Sequence, residues 1–235
     1  MNINADFSQR VVVHSHQQPW VASPMPGVDR RPLDRVGDEV ARATTIVRYA
    51  PGSEFSPHVH TGGEEFIVLE GVFQDQHGDF PAGSYVRNPP QSSHKPGSEQ
   101  GCVIFVKLWQ FNPEDRQHVN APARVDSDVA SLAFTAPKTG IVSKELYRDG
   151  FEVVSVYEVA PETQLNLDAV KGLEILILNG QFSEGSDTLE KHSWLRLPLG
   201  SKLQGKAGNK GARLWIKTEH LPFVNKQIAR VQNVK

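Results

Sequence analysis

The stretch GGEEFIVLEGVF at residues 62–73 returns 109 positions later as KGLEILILNGQF at residues 171–182. Both are rich in β-branched, aliphatic and aromatic side chains bracketed by glycine, a composition that favours strands. Working outward from this pair, the order of matches is kept. Upstream, Ala50-Pro51 has its counterpart in Ala160-Pro161; downstream, SYVRNP (84–89) pairs with SWLRLP (193–198) and VIFVK (103–107) with RLWIK (213–217). Four collinear matches with small insertions identify two copies of one β-domain. The expected division is 1–118 and 119–235, at the turn-rich, weakly apolar stretch from Arg116 to Val129.

The remainder of the chain agrees with an all-β reading. Short apolar runs recur between turn formers, at Val11–Val13, Ala43–Tyr49, Glu65–Leu69, Ser84–Arg87, Cys102–Leu108, Val153–Val159, Leu173–Leu178, Trp194–Leu197 and Ala212–Lys217, and long amphipathic patterns are almost absent. The 19 glycines and 16 prolines are spread along all 235 residues, as many short strands require. That length supports two cores of about 110 to 120 residues each. A net charge of −2 with interspersed signs offers no basic stripe for a phosphate backbone, so no nucleic-acid partner is expected. No apolar run reaches the roughly 18 residues that span a bilayer, and MNINAD at the start lacks the basic-then-apolar order of a signal peptide. The expectation is a cytoplasmic protein with no membrane association. Cys102 is the single cysteine, so disulfide scaffolds and thiolate zinc sites are excluded and any metal must be held by His and carboxylates.

The first copy supplies such a set. His58 and His60 are two apart, so on a strand both imidazoles leave the same face. Thr61-Gly62-Gly63 makes a turn, and Glu64 opens the returning strand. His94 follows a second turn at Asn88-Pro89-Pro90. Three His and one Glu give mixed nitrogen and oxygen donors suited to one divalent transition metal per chain, zinc, iron, manganese or nickel among them.

These residues carry a family resemblance. Gly52-x5-His58-x-His60-x3-Glu64-x6-Gly71 resembles the first cupin motif at every defined position, and Gly83-x5-Pro89-x-Gln91-x2-His94 resembles the second, with Gln91 where the family usually has Gly and Ser98 where it has Asn. The resemblance implies two tandem cupin (jelly-roll) barrels, a bicupin, with His58, His60, Glu64 and His94 as metal ligands. Within cupins, HVHTGGEEFIVLEGVF (58–73) and PAGSYVRNPP (81–90) are similar to the cupin domain of ChrR-type anti-sigma factors and to small dioxygenases that cleave dicarbonyl or hydroxyketone substrates. The dioxygenases typically use three His, which makes Glu64 an added or displaceable ligand. Sigma-factor binding is not carried over. It belongs to a helical zinc domain with a His-x3-Cys-x2-Cys motif, and this sequence has no Cys-x2-Cys and only about 25 residues ahead of the cupin.

The second copy lacks the set. At an offset of 110, His58 and His60 fall on Asp168 and Val170; at 109, His94 falls on Leu203, and Glu174 stands opposite Glu64 or Glu65 depending on the gap. This barrel is expected to bind no metal and to act as a structural partner or a metal-free ligand pocket. Phe66 and Val68 share the parity of Glu64 and are expected to line the pocket of the first barrel. Glu65, of opposite parity, is expected in a structural salt bridge, and Arg87 and Arg196, equivalent in the two copies, in a structural role. Cys102 is expected buried, His14-Ser-His16 on a polar strand, and His77, His118, His192 and His220 facing solvent.

Two functions follow. One is a metal-dependent dioxygenase-like enzyme for a small dicarbonyl or hydroxyketone; the other is a non-catalytic metal- or ligand-binding regulatory module. Two barrels in one chain resemble the dimer that single cupins form, which leaves monomer and homodimer both open.

Overall fold

The computed structural model describes residues 1–126 and 140–234. Positions 127–129 of the expected boundary stretch lie outside them. The described residues form two β-barrel units and one short α-helix, Val224–Gln232, with every run named above found in a strand. No helix among them is long and apolar enough to cross a membrane.

In the first unit the main strand order is Val28–Gly37, Ala41–Tyr49, Cys102–Leu108, Glu64–Asp75, Ser84–Asn88 and Val119–Pro122, all antiparallel neighbours. In the second unit the order is Ile141–Arg148, Val153–Val159, Ser201–Thr218, Leu173–Glu184, Ser193–Leu197 and Val11–His14. The two orders correspond strand for strand. Each inner face is apolar: Phe66, Val68, Phe73, Ile104 and Val106 pack together in the first unit, and Leu173, Ile175, Ile177, Leu195 and Leu214 in the second. The main strand of each copy carries the same backbone device, Gly71 at φ +70° and Gly180 at φ +75°, where a β-carbon would collide with the carbonyl of Gly101 or of Gly211.

The compact units are not contiguous in sequence, which corrects the expected 1–118 and 119–235 division. One comprises Met1–Ala5, Gln18–Pro122 and Val224–Lys235; the other comprises Asp6–Gln17 and Ala123–Phe223. The last strand position is the reason. In the first unit Val119–Pro122 lies along Ser84–Asn88, with Val119 opposite Arg87; in the second the same place is taken by Val11–His14, with Val11 opposite Arg196. The N-terminal segment therefore closes the second barrel. The C-terminal helix joins the first unit, where Gln227 accepts from Arg42 Nε at 2.9 Å and Arg230 donates to the Phe111 carbonyl at 2.6 Å.

A buried ionic cluster recurs on the opposite parity of the main strand. Glu65 accepts from the Tyr85 hydroxyl at 2.9 Å and lies 3.6 Å from Arg87, which also reaches Asp115 at 3.0 Å and stacks 4.1 Å over Phe111. In the second unit Glu174 accepts from Trp194 Nε1 at 3.2 Å, and Arg196 stacks 4.1 Å over Phe7 and donates to the Asp6 carbonyl at 3.0 Å. Lys107 stands opposite Glu65 and Lys217 opposite Glu174. Glu174 is thus the counterpart of Glu65. The expected structural roles of Glu65, Arg87 and Arg196 agree with these contacts, and Cys102 is buried.

Candidate metal centre

The turn after His60 brings the site together. Gly62 and Gly63 fold tightly because β-carbons there would collide with the rings of Trp109 and Phe111, and Gly63 takes φ +78°, a region L side chains rarely adopt. Glu64 then opens its strand, and His94 pairs directly opposite His58 across two short antiparallel strands. The His60 and His94 rings lie 4.5 Å apart, and each lies 5.0 Å from the His58 ring. One ring nitrogen of each imidazole falls within 4.8 Å of the other two. Glu64 stands beside them, its Oε2 being 3.5 Å from Nε2 of His60 and 3.5 Å from Nε2 of His94. Of the four residues, His58 is exposed while His60, Glu64 and His94 are 6%, 8% and 3% exposed.

The electrostatics fit a cation. Burial pushes the His60 imidazole down to about 4 and lowers His94 as well, so both rings are neutral near pH 7 and have a lone pair to give. Burial also raises the Glu64 carboxyl, opposed by His94 and by the Asn88 side chain, which donates to Oε2 at 3.3 Å. His60 Nε2 is buried with no hydrogen-bond partner. Such a buried orphan costs about 1–3 kcal/mol, and a cation in reach of the three imidazoles would remove that cost.

Asp75, outside the motifs, and Ser56, at an undefined position of the first, complete the arrangement. Asp75 Oδ2 lies 3.1 Å from His94 Nδ1, and the Ser56 carbonyl lies 3.2 Å from His58 Nδ1. Both contacts fix the rings with Nε2 toward the cluster, the usual way a protein orients imidazole ligands. The spacing of the motifs gives no hint of Asp75, because the contact is made by sheet packing.

A cavity of about 300 Å³ opens beside the cluster, with Tyr49, Phe55, Ile104, Val106 and Leu108 among its walls together with His58, His60 and Glu64. Phe66 and Val68 are not among its lining residues. They lie on the inner face as parity predicts, but in the buried core. Their cross-strand partners Val106 and Ile104 do line the cavity, so the wall at this level is made by the neighbouring strand.

In the second unit the equivalent positions are hydrocarbon. Leu167 stands opposite Leu203 as His58 stands opposite His94, and Leu173 opposite Leu197 as Glu64 opposite Asn88. The counterparts of His58, His60, Glu64 and His94 are therefore Leu167, Ala169, Leu173 and Leu203. The expectation of Asp168 and Val170 is corrected by one residue, because the offset falls from 110 to 109 before this strand. His220 is corrected too. It is buried, with Nε2 2.8 Å from Glu174 Oε1 rather than in solvent.

Residues 8–112 match the family model of the ChrR Cupin-like domain. No curated protein matches the chain in sequence. Solved structures share its fold. A proposed dioxygenase from Nostoc punctiforme superposes with a TM-score of 0.67 at 16% identity, over 91% of this chain and 83% of that one. The bacterial pirin YhhW from Escherichia coli, in complex with nickel(II), gives 0.64 at 12% identity over 90% and 100%. A variant of salicylate 1,2-dioxygenase from Pseudoaminobacter salicylatoxidans gives 0.55 at 11% identity over 79% and 73%. At these identities the likeness is one of fold.

Proposed function

We propose that this bicupin, with a ChrR cupin-like domain over residues 8–112, is a mononuclear metal enzyme whose first barrel holds one divalent transition ion and oxidises a small dicarbonyl or hydroxyketone in dioxygenase fashion. The observation that carries the reading is the convergence of three imidazoles around the unpartnered Nε2 of His60.

His58, His60 and His94 would hold the ion, with Glu64 as an added ligand. When bound, the ion supplies Lewis acidity toward the carbonyl oxygens and a path for electrons to dioxygen. Asp75 keeps the His94 ring turned so that Nε2 faces inward. The apolar walls from Ile104, Val106 and Phe55 exclude bulk water from a small ketone. Glu64 Oε2, when displaced toward the cavity, is placed to take the acidic proton between two carbonyls or beside a hydroxyl, and its raised affinity for a proton suits that task. Nickel in the pirin and dioxygenase activity in the salicylate enzyme belong to those proteins; they support the same chemistry here by analogy of fold.

The test is oxygen consumption. Iron-loaded protein given a panel of β-diketones and hydroxyketones is expected to take up dioxygen, and to lose that uptake in His60→Ala. Turnover without oxygen uptake would move the reading to an isomerase or decarboxylase. A closed four-coordinate zinc site in X-ray absorption, with no turnover, would move it to a non-catalytic regulatory module of the kind a ChrR cupin-like domain suggests.

A further inference from the structure

Of the three arginines in the strand Val28–Gly37, Arg30 and Arg35 have a spacing that should place them on opposite faces. Its pairing with Ala41–Tyr49 sets Val28 opposite Tyr49, Arg30 opposite Val47 and Pro32 opposite Thr45. Cross-strand partners share a face, and Tyr49, Val47 and Thr45 all line the cavity beside the histidines. Strict alternation would then turn Arg35 away. A bulge between Pro32 and Asp34 adds one residue to the strand and reverses the phase, so Asp34 meets Thr44 and Arg35 meets Ala43. Arg30 and Arg35 consequently sit on the same inner face.

Both arginines line the 300 Å³ cavity, and both also line a wider groove of about 830 Å³ whose other walls include Val21, Pro24, Met25 and Pro32. They stand where the one opens into the other. Among the described residues the Arg30 guanidinium makes no hydrogen bond or ion pair. Arg35 gives Nε to the Gly37 carbonyl at 3.2 Å and Nη2 to the Asp38 carbonyl, both uncharged acceptors. The acidic groups facing this wall are Glu39, which is exposed, Asp38, whose carboxylate is taken by the Met1 ammonium, and Glu64 at the histidines. Burial and the neighbouring Arg30 charge press Arg35 toward losing its proton, and the Asp38 carboxylate opposes them, so the two cations feel one another.

The second unit shows what the same backbone looks like without this feature. It has the same bulge, between Glu145 and Tyr147, with Ser143 opposite Tyr157 and Arg148 opposite Val153. Ser143 replaces Arg30, and Glu145 replaces Pro32 and binds Arg148 at 2.8 Å. The bulge belongs to the fold; two cations on the inner face without a direct ion pair occur in the copy with the histidine cluster.

We propose that Arg30 and Arg35 hold the carboxylate of the substrate at the mouth of the cavity, so that the dicarbonyl or hydroxyketone acted on is also an acid. This rests on the reading of the first barrel as a site for small carbonyl compounds. Two guanidiniums around one carboxylate give charge-assisted hydrogen bonds, while a neutral ketone would leave like charges facing one another.

The probe is 4,6-dioxoheptanoate, a β-diketone with a carboxylate, against its methyl ester, titrated calorimetrically into full-length protein in metal-free and nickel-loaded forms. The acid is expected to bind at least about tenfold more tightly than the ester in both forms, with the ratio shrinking as salt is added. Arg30→Gln and Arg35→Gln are each expected to abolish the ratio without changing nickel content. Equal binding of acid and ester, or a ratio that survives both substitutions, overturns the proposal even if nickel binds as expected. A protein that takes up no nickel yet keeps the acid preference overturns the metal reading and leaves the arginine site standing.

Discussion

The two barrels share a skeleton and differ in what fills one end of it. Strand order, the bulge, the glycines at positions 71 and 180 and the buried Glu–Arg–Lys cluster recur. Where the first barrel has His58, His60, Glu64 and His94, the second has Leu167, Ala169, Leu173 and Leu203, the last three fully packed into its core. A buried leucine contributes about 1.5–3 kcal/mol, and a buried polar atom without a partner costs a comparable amount. The second barrel is the version of this fold built for stability, and the first gives some of that up for a cluster of donors.

The largest effect expected from breaking this contrast is in metal content. Native protein should carry one ion per chain, and His60→Ala or His94→Ala should reduce that to none by elemental analysis. His60→Ala copies Ala169 of the second barrel, so metal-free protein should keep its stability within about 1 kcal/mol, the lost packing being offset by removal of an orphaned nitrogen. Glu174→Ala should leave the ion in place while destabilising the second barrel, since His220 and Trp194 both bond to that carboxylate. Two ions per chain would end the claim that the barrels differ in kind.

Next comes the part the barrels share. Arg87→Ala should cost about 3–5 kcal/mol in denaturant unfolding, because it strands buried Glu65 and Asp115, and Arg196→Ala should destabilise the second barrel through its lost stack on Phe7 and lost bond to the Asp6 carbonyl. Neither should change metal stoichiometry. A cost in one barrel only would show that the clusters are not equivalent.

Smaller, and confined to the first barrel, is the effect of Asp75. Asp75→Ala should weaken metal affinity about 10- to 100-fold by freeing the His94 ring, without abolishing binding. No change in affinity by competition with a chelator would remove Asp75 from the site.

How much of this the sequence reveals depends on whether a feature is local. His58, His60 and His94 are legible because two turns bring them together over 37 residues, and the strands are legible where apolar residues alternate. Val28–Gly37 is absent from the apolar runs because VDRRPLDRVG is charged and holds a proline; its bulge and its pairing with Ala41–Tyr49 make it a strand. The placement of Val11–His14 in the second barrel is a pairing with residues 193–196, 179 to 185 positions away, that no local pattern encodes. Parity correctly gives the face of Phe66 and Val68 but not which strand on that face walls the cavity. His220 reads as a lone surface histidine because its partner, Glu174, is 46 positions distant.

The finest expected difference lies in the turn before His94. Gln91 adopts φ +74° there, and Gly200 holds φ +77° at the matching place in the second barrel. The backbone demands the left-handed region in both copies: Gln91 N–H bonds to the His60 carbonyl at 2.9 Å, which ties the turn to a histidine of the site, and Gly200 N–H bonds to the Val170 carbonyl at 3.0 Å. A side chain in that region costs about 1–2 kcal/mol, whereas glycine enters it freely but gives up about 0.4–1 kcal/mol through its more flexible unfolded chain. Gln91→Gly should therefore stabilise the metal-free protein by a net amount of about 0.5–1 kcal/mol, read as a rise in denaturant midpoint at constant slope, with metal affinity unchanged because no ligand moves. The reverse substitution, Gly200→Gln, should lower the midpoint by a similar amount. A loss of stability in Gln91→Gly would mean that the glutamine side chain makes up for its own strain, and the turns of the two barrels would then be alike in backbone but not in energy.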